Sequence, residues 1–106
     1  MIVDMRIYTV KPGRVDDFVA MYGEHAWPLQ QQYLGHCLGW YTGVEGQLNQ
    51  VVQLWRYESQ ADREARRLAM NRDPAWKAYL RRMGESGLLL HTENRILAPT
   101  AFSPQA

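Results

Sequence analysis

Cysteine is nearly absent from this chain of 106 residues, whose single thiol is that of Cys37. One cysteine cannot form an intrachain disulfide, and its place in an apolar run indicates a small buried residue rather than a nucleophile. Long hydrophobic runs are also missing, since no stretch approaches the ~20 apolar residues of a membrane span. The N-terminus alternates charged and apolar residues and lacks a signal-peptide pattern. These absences predict a cytoplasmic protein without a membrane span.

Neither sign of charge dominates, because 12 Lys and Arg stand against 11 Asp and Glu, for a formal net charge of +1. This balance gives no electrostatic reason to expect nucleic acid as a partner. The histidines His25, His36 and His91 have no ligand spacing and no acidic cluster joins them, so no metal site is predicted. No glycine-rich phosphate loop and no pattern of a Ser or Cys nucleophile occurs, and no cofactor is predicted.

Aromatic residues are abundant instead, with four Trp, six Tyr and two Phe in this short chain. Such large amphipathic side chains suit pocket walls and subunit interfaces as well as a core. The length leaves room for one domain only.

Hydrophobic periodicity divides the chain into strands and helices. Strands are predicted over 2–10, 36–45, 49–57 and 88–97, with a hairpin turn at 46–47. Helices are predicted over 14–33, with an interruption at Pro28, and from the N-cap Ser59 onward, with a restart at Asp73-Pro74 and an end at Gly84 or Gly87. Gly39 and Gly43 in the second strand indicate a bulge or a close backbone contact.

The apolar faces of the last two helical segments follow from the helical repeat. The first is expected to present Ala61, Ala65, Leu68 and Ala69 on one side. The second is expected to present Trp76, Tyr79, Leu80 and Met83 on one stripe.

The order βαββαβ with right-handed crossovers predicts an α+β, ferredoxin-like fold, in which a four-stranded antiparallel sheet has its helices on one face. We expect a domain over 1–97 and an extended arm over 98–106, where Phe102 offers an apolar side chain to bury. The other sheet face stays bare, and alternation is expected to place Arg6, Tyr8 and an aromatic row of the third strand on it. A second copy of the chain is the expected cover, so a homodimer is predicted.

Several segments resemble the NIPSNAP family. They are DMRIYTVKPGR over 4–14, LNQVVQLWRYES over 48–59, ADREARR over 61–67, DPAW over 73–76 and FSP over 102–104. The segments follow the order of the family over nearly the whole chain, although Asp4 stands where the family usually has Glu and Gln53 where it usually has His. The resemblance implies a dimeric α+β barrel, in which two ferredoxin-like sheets close face to face. Many members have no established activity, and the wider superfamily includes small monooxygenases, isomerases and haem-handling enzymes.

Arg6 and Tyr8 share a strand face with Asp4 and form the first candidate site. In one interpretation, the cation and the phenol line a pocket for an anionic or oxygen-rich small molecule. In the other, Arg6 forms a carboxylate pair inside the dimer interface, with Asp4, Glu45 or Glu93 as its partner.

Gln53 and Trp55 lie two residues apart and therefore share a face of the third strand. If that face meets the helices, they line a cleft with Tyr22 or His25; ordinary core packing is the alternative. Glutamine in place of the usual histidine weakens a role in proton transfer, because an amide has no accessible pKa. Trp40 in the second strand is a further candidate for binding a ligand.

Arg63 is the last candidate, and it lies one helical turn from Arg67, so that the two would clamp a ligand at the mouth of the cleft. The alternative is a solvated, salt-bridged surface that also includes Arg66, which the interleaved Asp62 and Glu64 favour.

From these features we expect a homodimer that binds a small hydrophobic or aromatic molecule between sheet and helices, with a cofactor-independent monooxygenase- or isomerase-like activity as one form of this function. The alternative is a non-catalytic interaction or scaffold protein whose exposed aromatic residues and proline-rich arm recruit another protein.

Overall fold

The computed structural model describes residues 1–104 and contains four strands and four helices in that range. In chain order these are β1 (Ile2–Val10), α1 (Val15–His25), α2 (Trp27–Tyr33), β2 (His36–Thr42), β3 (Gln50–Tyr57), α3 (Gln60–Arg72), α4 (Pro74–Ser86) and β4 (Leu89–Leu97). Among these residues, no helix is both long and apolar enough to cross a lipid bilayer.

The boundaries of the helices follow local sequence signals. Pro28 lies in the first turn of α2, where its missing N–H removes no intrahelical hydrogen bond, and the predicted interruption is confirmed. The Ser59 hydroxyl accepts a hydrogen bond from the backbone N–H of Asp62 at 3.1 Å and caps α3. Asp73 caps α4 by accepting from the backbone N–H of Ala75 at 2.8 Å.

All neighbouring strands pair antiparallel, in the order β2-β3-β1-β4, and the helices cover one face. The predicted ferredoxin-like α+β fold is thereby confirmed. The register of β2 shifts between Cys37 and Gly39, as the glycine indicated. Strand β2 ends at Thr42, earlier than predicted, because the chain folds back and brings the Gln47 carbonyl against Gly43, where a side chain would collide.

The helices cover the sheet face opposite to the one we expected. Strand β3 buries Val51, Gln53, Trp55 and Tyr57, and its register pairs Tyr8 with Val51 on the same face. The prediction that Arg6, Tyr8 and the aromatic row lie on the bare face is therefore wrong. Alternation determines which residues share a face, whereas the helices' own aromatic residues determine which face they cover. Rings of α1 pack on Tyr8 from the helix side, with centroids 6.2 Å and 6.4 Å away.

The uncovered side of the sheet, which we call the open face, is aliphatic rather than aromatic at its centre. Val3, Met5 and Ile7 of β1 lie beside Val52 and Leu54 of β3, and all five are only partly buried. Strand β4 is exposed along almost its whole length, so the helices leave this edge uncovered as well.

Helix α3 is rotated relative to the prediction. The side expected to be buried faces outward, and the side chain of Leu68 is 51% exposed. Arg63, Arg67 and Met70 face the sheet instead, so Arg63 and Arg67 do not belong to a solvated surface, whereas Arg66 does. The physical reason is a buried carboxylate on β1, described below, which attracts guanidinium groups to this side. Leu80 of α4 is likewise 51% exposed, although it was predicted to lie on the buried stripe.

The arm predicted over 98–106 is described up to residue 104. Its backbone makes a short turn in which the N–H of Ser103 donates to the carbonyl of Thr100 at 3.1 Å. The Phe102 side chain is 88% exposed, so this one chain does not bury it. Residues 105–106 of the predicted arm lie outside the described range.

Candidate functional site

A cavity of about 370 Å³ lies between the helix-covered face of the sheet and helices α3 and α4. Its size is within the roughly 300–1,000 Å³ of small-molecule sites. Its lining combines arginines, tyrosines and apolar side chains: Arg6, Tyr8, Tyr22, Arg67, Asn71, Trp76, Tyr79, Leu80, Met83, Gly84, Leu89 and Thr92. We call it the arginine cavity.

A buried carboxylate, Asp4, organises the charged side of the arginine cavity. Its Oδ2 accepts hydrogen bonds from Arg6 Nη1 at 3.2 Å and from Arg63 Nε at 2.9 Å. Its Oδ1 accepts from Asn94 Nδ2 at 3.1 Å. The predicted arginine–carboxylate pair is therefore present with Asp4 as the partner, but it lies beneath the helices and not on the open face.

Arg6 connects this carboxylate to the phenol of Tyr8. Its Nε donates to the Tyr8 hydroxyl at 3.2 Å. Burial by itself would lower the pKa of the Arg6 guanidinium, but Tyr8 and then Asp4 outweigh burial and the net shift is upward. Arg6 is therefore a fixed positive charge on the cavity wall.

Arg67 occupies the next turn of α3 after Arg63 and is half-buried. Within residues 1–104, its guanidinium has neither an ion-pair partner nor a side-chain hydrogen bond. Burial lowers its pKa, and the positive charge of Arg6 lowers it further. Arg67 thus presents a positive charge to the cavity without a protein counter-charge.

Aromatic rings form the remaining walls. The centroids of Tyr22 and Tyr79 are 5.5 Å apart, and those of Trp76 and Tyr79 are 5.0 Å apart. Burial, followed by the proximity of Tyr8, raises the pKa of both Tyr22 and Tyr79. Both phenols are protonated at neutral pH and serve as hydrogen-bonding groups rather than bases.

A second concavity, of about 530 Å³, lies between α1 and the edge strand β2. Its walls are mostly apolar and include Trp27, Trp40, Tyr41 and Cys37, with Tyr22 shared between this groove and the arginine cavity. Burial raises the pKa of the Cys37 thiol, which keeps it protonated at neutral pH.

The structure brings together only part of the predicted site. Arg6, Tyr8 and Tyr22 line the arginine cavity, Arg63 supports it through Asp4, and Trp40 lines the groove on the other side of Tyr22.

The other three candidates are not among the residues that line either concavity. Gln53 and Trp55 are core residues, joined by a hydrogen bond of 2.6 Å from Trp55 Nε1 to Gln53 Oε1, and Trp55 packs against Trp27. His25 lies at the end of α1, with its Nε2 3.6 Å from a carboxylate oxygen of Glu24.

Sequence reasoning missed most of the α3–α4 side of the site. Arg63, Arg67 and Asn71 are spaced by four residues and therefore share one face of α3. This spacing suggested a clamp formed by Arg63 and Arg67, but the interleaved acidic residues favoured a solvated surface, and Asn71 was not considered. Asn94 reaches Asp4 through strand pairing across 90 residues, which no local pattern reveals. Within the described range, no group of three or more His, Cys, Asp or Glu side chains is arranged to hold a metal ion.

Comparison with known proteins places this architecture in a family. The NIPSNAP family model matches residues 3–104. An uncharacterized NIPSNAP domain protein from Burkholderia xenovorans has a TM-score of 0.92 at 34% identity, with 99% of this chain and 100% of that one covered. A NIPSNAP family protein from Agrobacterium tumefaciens has a TM-score of 0.91 at 35% identity, with 99% and 98% covered.

More distant structures share the fold alone. A putative antibiotic biosynthesis monooxygenase from Nitrosomonas europaea has a TM-score of 0.66 at 11% identity, with 93% of this chain and 98% of that one covered. No curated protein matches this chain. The match over residues 3–104, together with the motifs along the chain, identifies it as a member of the NIPSNAP family.

Proposed function

We propose that this NIPSNAP protein binds a small hydrophobic or aromatic molecule in the arginine cavity. The observation that carries the proposal is the composition of the walls, in which the rings of Tyr22, Trp76 and Tyr79 face a few convergent polar groups. Apolar walls with a small number of directing polar groups are typical of ligand sites.

The groove between α1 and β2 supports the proposal less well. It is larger, but none of its lining side chains is charged, so it has no fixed charge to orient a polar ligand group. Tyr22 separates the two concavities, and its ring centroid lies 4.5 Å from that of Trp40. We therefore assign the ligand to the arginine cavity.

Binding is a better description of this site than turnover. A cofactor-independent monooxygenase- or isomerase-like reaction needs a group that takes or gives a proton near neutral pH. The cavity lining contains arginines and phenols, and it includes no histidine or carboxylate among the described residues. Oxygen consumption or product formation in the presence of a bound aromatic molecule would add turnover to the proposed binding.

The proposed assembly is a homodimer formed through the open face. The aliphatic side chains of Val3, Met5, Ile7, Val52 and Leu54 lie side by side on this face without a cover from their own chain. A contiguous apolar surface of this kind is unusual on a monomer and is typical of an interface. A second copy that presents the same face would bury both.

A thermal-shift screen tests the binding proposal. We expect a subset of small aromatic compounds to raise the melting temperature of the purified protein in proportion to the logarithm of their concentration. Replacement of Met83 by Trp, which fills the cavity, should abolish these shifts. The matched control is Val19→Trp, which changes the groove between α1 and β2 instead. Shifts that respond only to the change at Val19 would contradict the assignment.

A further inference from the structure

We infer that the molecule in the arginine cavity carries a carboxylate group and that Arg67, assisted by Arg6, receives it. The inference rests on the proposed function, because it names the chemical class of the ligand in the same cavity.

The first observation is an imbalance of charge. Arg6 and Arg63 donate to one buried carboxylate, that of Asp4, and Arg67 lines the same cavity as Arg6. Both oxygens of Asp4 already accept hydrogen bonds, from Arg6 and Arg63 on one side and from Asn94 on the other. Arg67 is not among these donors, so the single negative charge of Asp4 already serves two other guanidinium groups.

The second observation is the position of Arg67. It lines the cavity and is half-buried, yet no carboxylate in residues 1–104 pairs with it. The cavity lining holds two cations and no Asp or Glu from the described part of the chain. A partly desolvated cation beside other cations is unfavourable, and an anion in the cavity would relieve this repulsion.

The shape and chemistry of the cavity favour a carboxylate over a phosphate. A guanidinium binds a planar carboxylate through two parallel hydrogen bonds. The rest of the lining combines the apolar surfaces of Trp76, Leu80 and Met83 with polar groups that are all neutral. Arg67 is therefore the one cation of the lining without a counter-charge, and it matches the single charge of a carboxylate better than the higher charge of a phosphate. A small aromatic or hydrophobic carboxylic acid would place its carboxylate on Arg67 and its apolar body against the apolar side chains of the lining.

Calorimetric titration of the full chain tests the inference with benzoate, phenylacetate and 1-naphthoate, each paired with its neutral amide, and with inorganic phosphate. We expect at least one acid to bind about 10-fold or more tightly than its amide. Arg67→Gln should remove most of this preference and leave the affinity for the amide unchanged. Arg81→Gln, which removes an equal charge from the exposed side of α4, should leave both affinities unchanged.

Stability without ligand separates a binding role from a structural one. Because Arg67 has no partner among residues 1–104, we expect Arg67→Gln to leave the urea midpoint unchanged or to raise it. Arg67→Lys keeps the positive charge but lacks the planar guanidinium that can donate two parallel hydrogen bonds. Its affinity for the acid should therefore fall between those of the wild type and Arg67→Gln. A large drop of the urea midpoint in both variants would overturn the inference.

The outcomes of the titration distinguish the two proposals. Equal affinities for acids and amides would overturn the carboxylate inference and leave the proposed function standing. Phosphate that binds more tightly than every acid would overturn the inference in favour of an inorganic anion. No binding of any acid or amide, with no shift in the thermal screen, would overturn both proposals.

Discussion

Arg63 Nε lies 2.9 Å from Oδ2 of Asp4, a residue 59 positions earlier in the chain, and this contact attaches helix α3 to the first strand. The carboxylate is fully buried, and both arginines on its Oδ2 have side chains only 16% exposed. The ion-pair network therefore fixes the rotation of α3 and, with it, the position of Arg67 on the cavity wall.

Replacement of Asp4 by Asn should lower the free energy of unfolding by about 3 kcal/mol, because two buried guanidinium groups lose their counter-charge. Urea denaturation monitored by tryptophan fluorescence measures the change. The control is Asp16→Asn, which removes an exposed carboxylate from α1 and should change stability by less than about 0.5 kcal/mol. A loss for Asp4→Asn as small as that of the control would show that the Asp4 network does not stabilise the fold.

Tyr79 should make stability depend on alkaline pH. Burial raises its pKa in the folded state above the roughly 10 of an unfolded chain, so the folded state holds the proton more tightly. Its contribution is complete below pH ~10 and is lost as the pH rises beyond that value. Relative to Tyr79→Phe, the wild type should therefore lose about 1–2 kcal/mol between pH 9 and pH 11.5.

Urea denaturation at both pH values checks this expectation. The control is Met83→Leu, which changes the same cavity wall but neither removes nor adds a titrating group. It should shift the urea midpoint equally at the two pH values. A constant difference between wild type and Tyr79→Phe would contradict the predicted dependence.

Two glycines near the end of α4 should respond to alanine in opposite directions. A methyl group at Gly84 would meet open space within a regular helix, so Gly84→Ala should raise the free energy of unfolding by about 0.5–1 kcal/mol. Gly87 ends the helix at φ +69°, a left-handed conformation that disfavours a side chain. Gly87→Ala should therefore lower stability by about 1 kcal/mol. The same sign for both changes in thermal unfolding would contradict the capping role of Gly87.

Leu54→Lys places a charge at the centre of the open face and should convert the proposed dimer into a monomer. Light scattering coupled to size-exclusion chromatography at micromolar concentration measures the mass, which we expect to be twice that of the chain for the wild type. Leu68→Lys on the outer side of α3 replaces an exposed leucine and is the matched control, with an unchanged mass. A monomeric wild type would refute the proposed assembly.

Local signals predicted the elements well. The interruption at Pro28, the caps Ser59 and Asp73 and the bulge near Gly39 each depend on a few neighbouring residues, and the structure contains all of them. The predicted pairing of Arg6 with Asp4 is also present, since both lie on one face of one strand.

The candidate site was only half predictable, because its other half comes from distant segments. Arg67 and Tyr79 reach the cavity through the way α3 and α4 pack on the sheet. The leucine-and-alanine side of α3 suggested the opposite rotation, and a local repeat cannot reveal that a buried carboxylate on β1 outweighs it.

The sequence by itself determined the order of strands and helices, the helix caps and the family, since these depend on backbone preferences and on residues close together in the chain. Only the tertiary structure decided which sheet face the helices cover and which side of α3 meets it. Strand alternation and the helical repeat define the two sides of an element but do not show which side is buried. The buried side is determined by the contacts of Asp4 and Tyr8 with residues far away in the sequence.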